Sequence, residues 1–132
     1  MRSKLKKITT MKTTIFILTI LFAIFTIPVD AQKPKVTFVE LGSVNCVPCK
    51  KMQPIMKSIE EKYGNQIKVI FYDVWLEDQK KYADQYNVKL IPTQVFLDEK
   101  GKEFFRHEGF YPEKEIDKLL TKRGLKPLKK KG

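Results

Sequence analysis

The sequence predicts an α/β fold in which helices flank a mixed four-stranded sheet, in the order βαβαββα. The chain has 132 residues, which is enough for one domain. Hydrophobic residues make up 42% of the chain and charged residues 31%, a composition that is ordinary for a globular protein. From Lys35 onward, segments with strand and helix periodicity alternate. A strand–helix–strand unit runs parallel, whereas two strands joined by a short turn run antiparallel, so the sheet is predicted to be mixed.

The first four elements are predicted from their patterns. Residues 36–41 are rich in β-branched and aromatic side chains, which is typical of a buried strand. Apolar residues recur at helical spacing over residues 47–63, and a glycine follows them, so this segment is predicted to be a helix. A second strand is predicted over residues 67–73. The charge content of residues 77–86 indicates a second helix.

The last three elements form a hairpin and a helix. Strands are predicted over residues 93–97 and 103–106, joined by a turn in which Gly101 supplies a positive φ. Pro112 begins a final helix that is predicted to end at Thr121, because proline suits the first helical turn. The folded domain is therefore expected to cover residues 32–121.

The positive charge of the chain lies at its two ends. The formal net charge is +11, but residues 1–31 carry five basic residues and one acid, and residues 121–132 carry six basic residues and no acid. The middle of the chain is almost neutral, whereas a nucleic-acid-binding domain carries a basic face on the fold itself. A nucleic-acid partner is therefore not expected. Residues 122–132 are predicted to form a basic, disordered tail.

The first 31 residues have the layout of a secretory signal. Basic residues precede an apolar run from Ile15 to Ile27, and the small residues Val29 and Ala31 offer a cleavage site before Gln32. The alternative is an uncleaved anchor, in which residues 13–29 tether the protein to a membrane. Both interpretations predict an exported domain, in the periplasm or at the extracytoplasmic face of the membrane.

Two cysteines, Cys46 and Cys49, lie where the first predicted strand leads into a helix. The unpaired N–H groups and the positive dipole end of a first helical turn stabilise a thiolate, so Cys46 is the candidate nucleophile. Cys49 lies one turn further along, within disulfide reach, and is predicted to resolve the mixed disulfide. A structural disulfide, an inert pair and a copper-handling or protein-binding module remain alternatives. A four-residue loop gains only about 2 kcal/mol of stability from cross-linking, which makes a structural role weak.

From Val36 to about Leu120, the sequence resembles the thioredoxin family. The segment Cys46-Val47-Pro48-Cys49-Lys50 resembles the active site of this family, and Pro54 matches the proline that kinks its active-site helix. The segment Ile91-Pro92-Thr93 resembles the cis-proline loop that faces the cysteines, and Gly109 matches a glycine near that groove. The resemblance implies a thioredoxin-like fold that lacks the usual first strand and helix. It also implies a substrate-binding set, which comprises Val47, Pro48, Ile91, Pro92, Thr93 and Gly109.

Glu40 occupies the position at which the thioredoxin family usually has a buried aspartate beneath the resolving cysteine. The resemblance implies that Glu40 accepts the proton of Cys49 and returns it. Alternation along the strand puts Glu40 on the same face as Val36 and Phe38, which is consistent with burial, and a buried acid has a raised pKa. The alternative is a carboxylate exposed to water at the end of the strand.

The resemblance implies a thiol:disulfide oxidoreductase that needs no cofactor beyond its own Cys46–Cys49 pair. No other residue of the sequence is an obvious partner for the two cysteines in a metal site, so no metal is expected, and the protein is expected to be a monomer. Neither Val47 nor Pro48 carries a charge that would stabilise the dithiol form, so the protein is predicted to be a reductant. A disulfide-donating oxidant is the alternative. A reductant in an oxidising compartment needs electrons, so a membrane thiol carrier is the expected donor and disulfide-containing exported proteins are the expected substrates.

Overall fold

A computed structural model describes residues 32–128, and the predicted signal or anchor lies outside this range. Seven elements follow one another in the predicted order: β1 (Val36–Gly42), α1 (Val47–Tyr63), β2 (Ile67–Asp73), α2 (Lys81–Gln85), β3 (Thr93–Asp98), β4 (Glu103–Glu108) and α3 (Glu113–Lys122). A 3₁₀ turn over Gly64–Gln66 joins α1 to β2. The predicted α/β class and element order are confirmed. No helix within residues 32–128 is long and apolar enough to cross a membrane.

The four strands lie in the order β2-β1-β3-β4. β1 is parallel to β2 and antiparallel to β3, and β4 is antiparallel to β3. The register pairs Gly42 with Asp73, Leu41 with Thr93, and Thr93 with Glu108. The ends of β1, β2 and β4 and the beginning of β3 therefore lie at one edge of the sheet. We call this the carboxyl edge, after the carboxyl ends of β1 and β2.

Each face of the sheet has its own apolar core. On one face, Phe38 and Phe96 stack with ring centroids 4.7 Å apart and pack with buried residues of α1 and α3, among them Met52 and Ile116. On the other face, a smaller cluster around Val39 packs against α2 and its flanking turns. β1 is buried on both faces because it lies inside the sheet between two cores, which explains its nearly continuous apolar sequence.

The helix predicted over residues 77–86 is shorter than expected, because only Lys81–Gln85 is helical. The carbonyl of Leu76 accepts the N–H groups of both Gln79 and Lys80, and the N–H of Tyr82 bonds to the carbonyl of Gln79 three residues before it. These bonds form successive turns rather than an α-helical ladder. The side chain of Gln79 also accepts the backbone N–H of Asp73, which ties the turns to the end of β2.

The prediction of a disordered tail over residues 122–132 is wrong for residues 122–128. Residues 129–132 lie outside the described range. α3 extends to Lys122, and Leu125 is buried in the core between α1 and α3. The backbone N–H of Leu128 donates to the carbonyl of Lys62 at 2.7 Å, and the side-chain amide of Gln66 binds the backbone of Lys126 through both its atoms. The folded domain therefore extends beyond the predicted end at residue 121.

Candidate active site

The two cysteines form a disulfide at the beginning of α1, with their Cα atoms 5.2 Å apart. Cys46 is the N-cap of the helix, and its sulfur accepts the backbone N–H of Cys49 at 3.4 Å. Cys46 is 8% exposed and Cys49 is fully buried. A sulfur at this position faces unpaired backbone donors and the positive end of the helix dipole, both of which favour a thiolate. Cys46 is thus the cysteine that a solvent-borne disulfide can reach.

The loop between β1 and the disulfide is held by Asp73, a residue that the sequence analysis missed. One carboxylate oxygen of Asp73 accepts the backbone N–H of Val44 at 3.0 Å, and the other accepts that of Trp75 at 3.1 Å. The buried carboxylate therefore joins the end of β2 to the loop that carries Cys46. An acid at the end of β2, the strand that runs parallel to the one leading to the cysteines, is the sequence signal that would have found it.

Gly42 lies directly beneath the disulfide. A Cβ atom on this residue would lie 3.1 Å from the sulfur of Cys49 and 3.4 Å from the ring of Phe71. A glycine at the end of β1 thus lets Cys49 approach the sheet closely. The face of β1 that carries Gly42 also carries Glu40 and Phe38, because side chains alternate along a strand.

Glu40 is fully buried on this face, so it is not a carboxylate exposed at the end of the strand. Burial raises the pKa of its carboxyl from 4.5 to about 8, against a smaller lowering by a hydrogen bond from Gln94. That bond joins Nε2 of Gln94 to Oε1 of Glu40 at 3.3 Å. A carboxyl with this pKa is mostly protonated at neutral pH and can release or accept a proton near it.

The Ile91-Pro92-Thr93 segment reaches the same edge of the sheet. The Ile91–Pro92 peptide bond is cis, and the carbonyl of Pro92 accepts the backbone N–H of Gly109 at 2.7 Å. Pro92 and Gly109, two residues that the resemblance places in the substrate-binding set, are therefore adjacent. The side chain of Thr93 is fully buried, and its hydroxyl donates to the carbonyl of Leu90 at 2.6 Å. Its hydroxyl is thus used within the loop.

Exposed apolar side chains lie on the segments that leave or enter the sheet at the carboxyl edge. One of these residues, Val47, was predicted to belong to the site and is 68% exposed. Trp75, which is 61% exposed, was not predicted to belong to it. A leucine or phenylalanine in a loop gives no sequence signal that separates a binding surface from a core contact. We call this set the apolar patch: Val44, Val47, Trp75, Leu76, Leu90 and Phe110.

No group of three or more His, Cys, Asp or Glu side chains within the described part of the chain is arranged to hold a metal ion. The reactive group of the site is the cysteine pair itself, which needs no added cofactor to exchange electrons with another disulfide.

Residues 27–124 match the family model described as a thioredoxin-like domain. The chain belongs to this thioredoxin-like family. It is also 35% identical over 85 residues to the thioredoxin of Homo sapiens, covering 64% of this chain and 77% of that protein. Over 77 residues it is 29% identical to the thioredoxin of Bacillus subtilis, covering 58% of this chain and 71% of that protein.

Solved structures agree with this membership. The thioredoxin NaTrxh of Nicotiana alata superposes with a TM-score of 0.58 and 29% identity, over 70% of this chain and 76% of that one. A mutant thioredoxin of Halobacterium salinarum gives a TM-score of 0.60 over 71% of this chain and 80% of that one, and at 22% identity it supports the fold alone. With its cysteine pair, this thioredoxin-like protein is a thiol-disulfide oxidoreductase.

Proposed function

We propose that this oxidoreductase reduces disulfides in exported proteins, with Cys46 as nucleophile and Cys49 as resolving cysteine. The observation that carries the proposal is the placement of the Cys46–Cys49 disulfide. It lies at the beginning of α1, where Cys46 is slightly exposed, and the apolar patch lies on the segments at the carboxyl edge. An apolar surface beside a reactive sulfur suits extended or unfolded polypeptide, because such chains expose apolar side chains.

The proposed reaction transfers two electrons. The thiolate of Cys46 attacks one sulfur of the substrate disulfide, which breaks that bond and releases the other substrate sulfur as a thiolate. Cys49 then loses its proton to the carboxylate of Glu40 and attacks the sulfur of Cys46, which releases the substrate as a dithiol and leaves the Cys46–Cys49 disulfide. A thiol carrier in the membrane returns the two electrons, and Glu40 returns the proton to Cys49.

The burial of Glu40 supports its proposed role as proton carrier. On this face of β1, Glu40 lies between Phe38, which packs against α1, and Gly42, where an added Cβ atom would meet Cys49. It therefore faces the first turns of α1.

In the proposed cycle, the peptide bonds beside Pro92, together with Val47, Pro48 and Gly109, bind the substrate chain as an added extended segment.

The direction of electron flow is tested by a redox titration of the full chain against dithiothreitol and glutathione buffers. Because no charged residue lies between the cysteines, we expect a reducing couple near about −270 mV rather than about −120 mV, the value of a strong oxidant. A strongly oxidising potential would reverse the proposed direction and favour a disulfide donor.

Insulin reduction with the Cys46→Ser variant separates the enzyme from a binding module, because this variant should be inactive.

Export is tested by expressing the full chain in a bacterium and separating its periplasm, membranes and cytoplasm. We expect the protein in the periplasm with Gln32 as its first residue, or at the outer face of the inner membrane if residues 13–29 are retained. A protein that keeps Met1 and stays in the cytoplasm would contradict the proposed export.

A further inference from the structure

Two buried side chains on neighbouring strands, Glu40 and Gln94, are directly opposite each other in the sheet. Both are fully buried. One hydrogen bond joins them, from Nε2 of Gln94 to Oε1 of Glu40. Within residues 32–128, the other oxygen of each side chain, Oε2 of Glu40 and Oε1 of Gln94, is buried and has no hydrogen-bond partner.

These two unpaired oxygens share a chemical property. An ionised carboxylate has only acceptors, and the amide oxygen is also an acceptor, so the two oxygens cannot bond to each other while Glu40 is charged. Leaving two buried acceptors unpaired is costly. A single proton on Oε2 of Glu40 turns that atom into a donor, and the amide oxygen of Gln94 is the acceptor that remains.

We infer that Gln94 is a positioning residue for the proton of Glu40: it donates to the carboxylate and accepts from the carboxylic acid, so that it holds both protonation states. This inference rests on the proposed function, in which Glu40 exchanges a proton with Cys49. The amide group is suited to this task because it contains one donor arm and one acceptor arm in one plane, opposite the two oxygens of a carboxyl. A purely apolar residue at this position would support neither state.

Within the described residues, the surroundings of Glu40 supply no other charge for this task. On β2 its register partner is Phe71, and Cys49 on α1 is held in the disulfide. Beyond Gln94 on β4 lies His107, whose ring stacks on Tyr111 and whose Nε2 contacts the carbonyl of Phe110. The pKa of the Glu40 carboxyl is raised by burial and lowered by Gln94, with no charged residue among the causes.

The first test needs no variant. In the purified, oxidised full chain, the Glu40 carboxyl carbon and the Gln94 side-chain amide are followed by NMR from pH 5 to pH 10. We expect the Gln94 amide signals to move with the same midpoint as Glu40. Gln53 on α1 is the matched control, because its Nε2 is also buried and unpaired. Gln94 signals that stay fixed while Glu40 titrates would overturn the inference.

The second test uses Gln94→Met, with Gln94→Leu as a second apolar variant of different shape. Hydrogen bonds to a charged group are stronger than those to a neutral one. Removing the Gln94 amide therefore costs the ionised form of Glu40 more stabilisation than the protonated form. We expect the Glu40 titration midpoint to rise by about one pH unit in both variants. The pH at which the rate of mixed-disulfide resolution is half-maximal should increase by the same amount. An unchanged midpoint would overturn the inference.

A double variant separates this inference from the proposed function. If Gln94 acts through the proton of Glu40, then Gln94→Met should slow resolution in the native background but have little effect when Glu40 is already Gln. Additive effects would overturn the inference. If Glu40→Gln alone leaves the rate unchanged, the proton-carrier role fails, while the NMR midpoint still reports whether Gln94 pairs with Glu40.

Discussion

At the scale of single residues, the site combines a reactive pair with a buried acid. A Cβ atom on Gly42 would lie 3.1 Å from the sulfur of Cys49, and Glu40 lies two residues earlier on the same face of β1. Two residues of strand span about 6.6 Å, so Glu40 lies one such step along β1 from the residue that Cys49 packs over. The proposed proton exchange depends on this short separation.

Replacing Glu40 with Gln is expected to remove a pH dependence of stability. The carboxyl has a pKa of about 8 in the folded protein, against 4.5 when it is not buried. The folded state therefore binds this proton more tightly than the unfolded state. The stabilising contribution is complete below pH 4.5 and is lost as the pH rises through about 8, by roughly 1.4 kcal/mol for each unit of pKa difference.

Urea unfolding of the oxidised protein at several pH values between these two pKa values, and just above the higher one, measures this effect. The free energy of unfolding of the native protein should fall relative to that of Glu40→Gln across this range. Parallel profiles for the two proteins would show that Glu40 has no raised pKa in the fold.

Some site residues could be predicted from the sequence and others could not. The cysteines carry a spacing and a strand–helix context that few other structures share, and the alternation along β1 suggested the burial of Glu40. Gln94 was missed because a polar residue inside an apolar strand normally indicates an exposed face. Its partner lies 54 positions away in the sequence, and only the register of β1 and β3 brings them together.

At the scale of secondary-structure elements, the site depends on how β1 and β2 end. The carboxylate of Asp73 accepts two backbone N–H groups, from Val44 and Trp75, and so fixes both loops at the carboxyl edge. α1 was predicted over its full length because its apolar spacing is regular and a glycine ends it. α2 was predicted too long because charged residues suit both helices and turns, and the side-chain bond from Gln79 to the end of β2 favours turns.

The Asp73→Ala variant is expected to loosen this edge. It leaves two N–H groups without their acceptor, so the free energy of unfolding should fall by about 1–3 kcal/mol. Hydrogen exchange should become faster at the amides of Val44 and Trp75. Asp78→Ala is the matched control, because Asp78 is exposed in the next turn. Equal exchange at both amides in the two variants would contradict this role of Asp73.

At the scale of the whole molecule, the folded domain is larger than its composition suggests. The six basic residues at the end of the chain indicated a disordered tail, but Leu125 is buried beside α1 and α3. The basic composition of this segment gave no sign of Leu125 and Leu128, whose contacts lie far away in the sequence. Six of the seven large apolar residues that are exposed within residues 32–128 lie on segments at the carboxyl edge, and Leu128 is the exception.

Leu125→Ala is expected to destabilise the protein by about 2–5 kcal/mol, the usual cost of truncating a fully buried leucine. Leu128→Ala is the control, because that side chain is 53% exposed and its backbone bond to Lys62 does not depend on the side chain. Denaturant unfolding compares the two. Equal, small losses would show that residues 125–128 do not belong to the cooperative fold.

The most direct test of the proposed attack by Cys46 is to trap the mixed disulfide with a protein substrate. The Cys49→Ser and Cys46→Ser variants are reduced, freed of reductant and incubated with insulin, with the double variant as control, and the products are resolved without reducing agent. We expect a stable covalent complex with Cys49→Ser, because its nucleophile attacks but nothing resolves the intermediate, and none with Cys46→Ser. A complex that forms through Cys49 alone, or no complex with either variant, would contradict the proposed attack by Cys46.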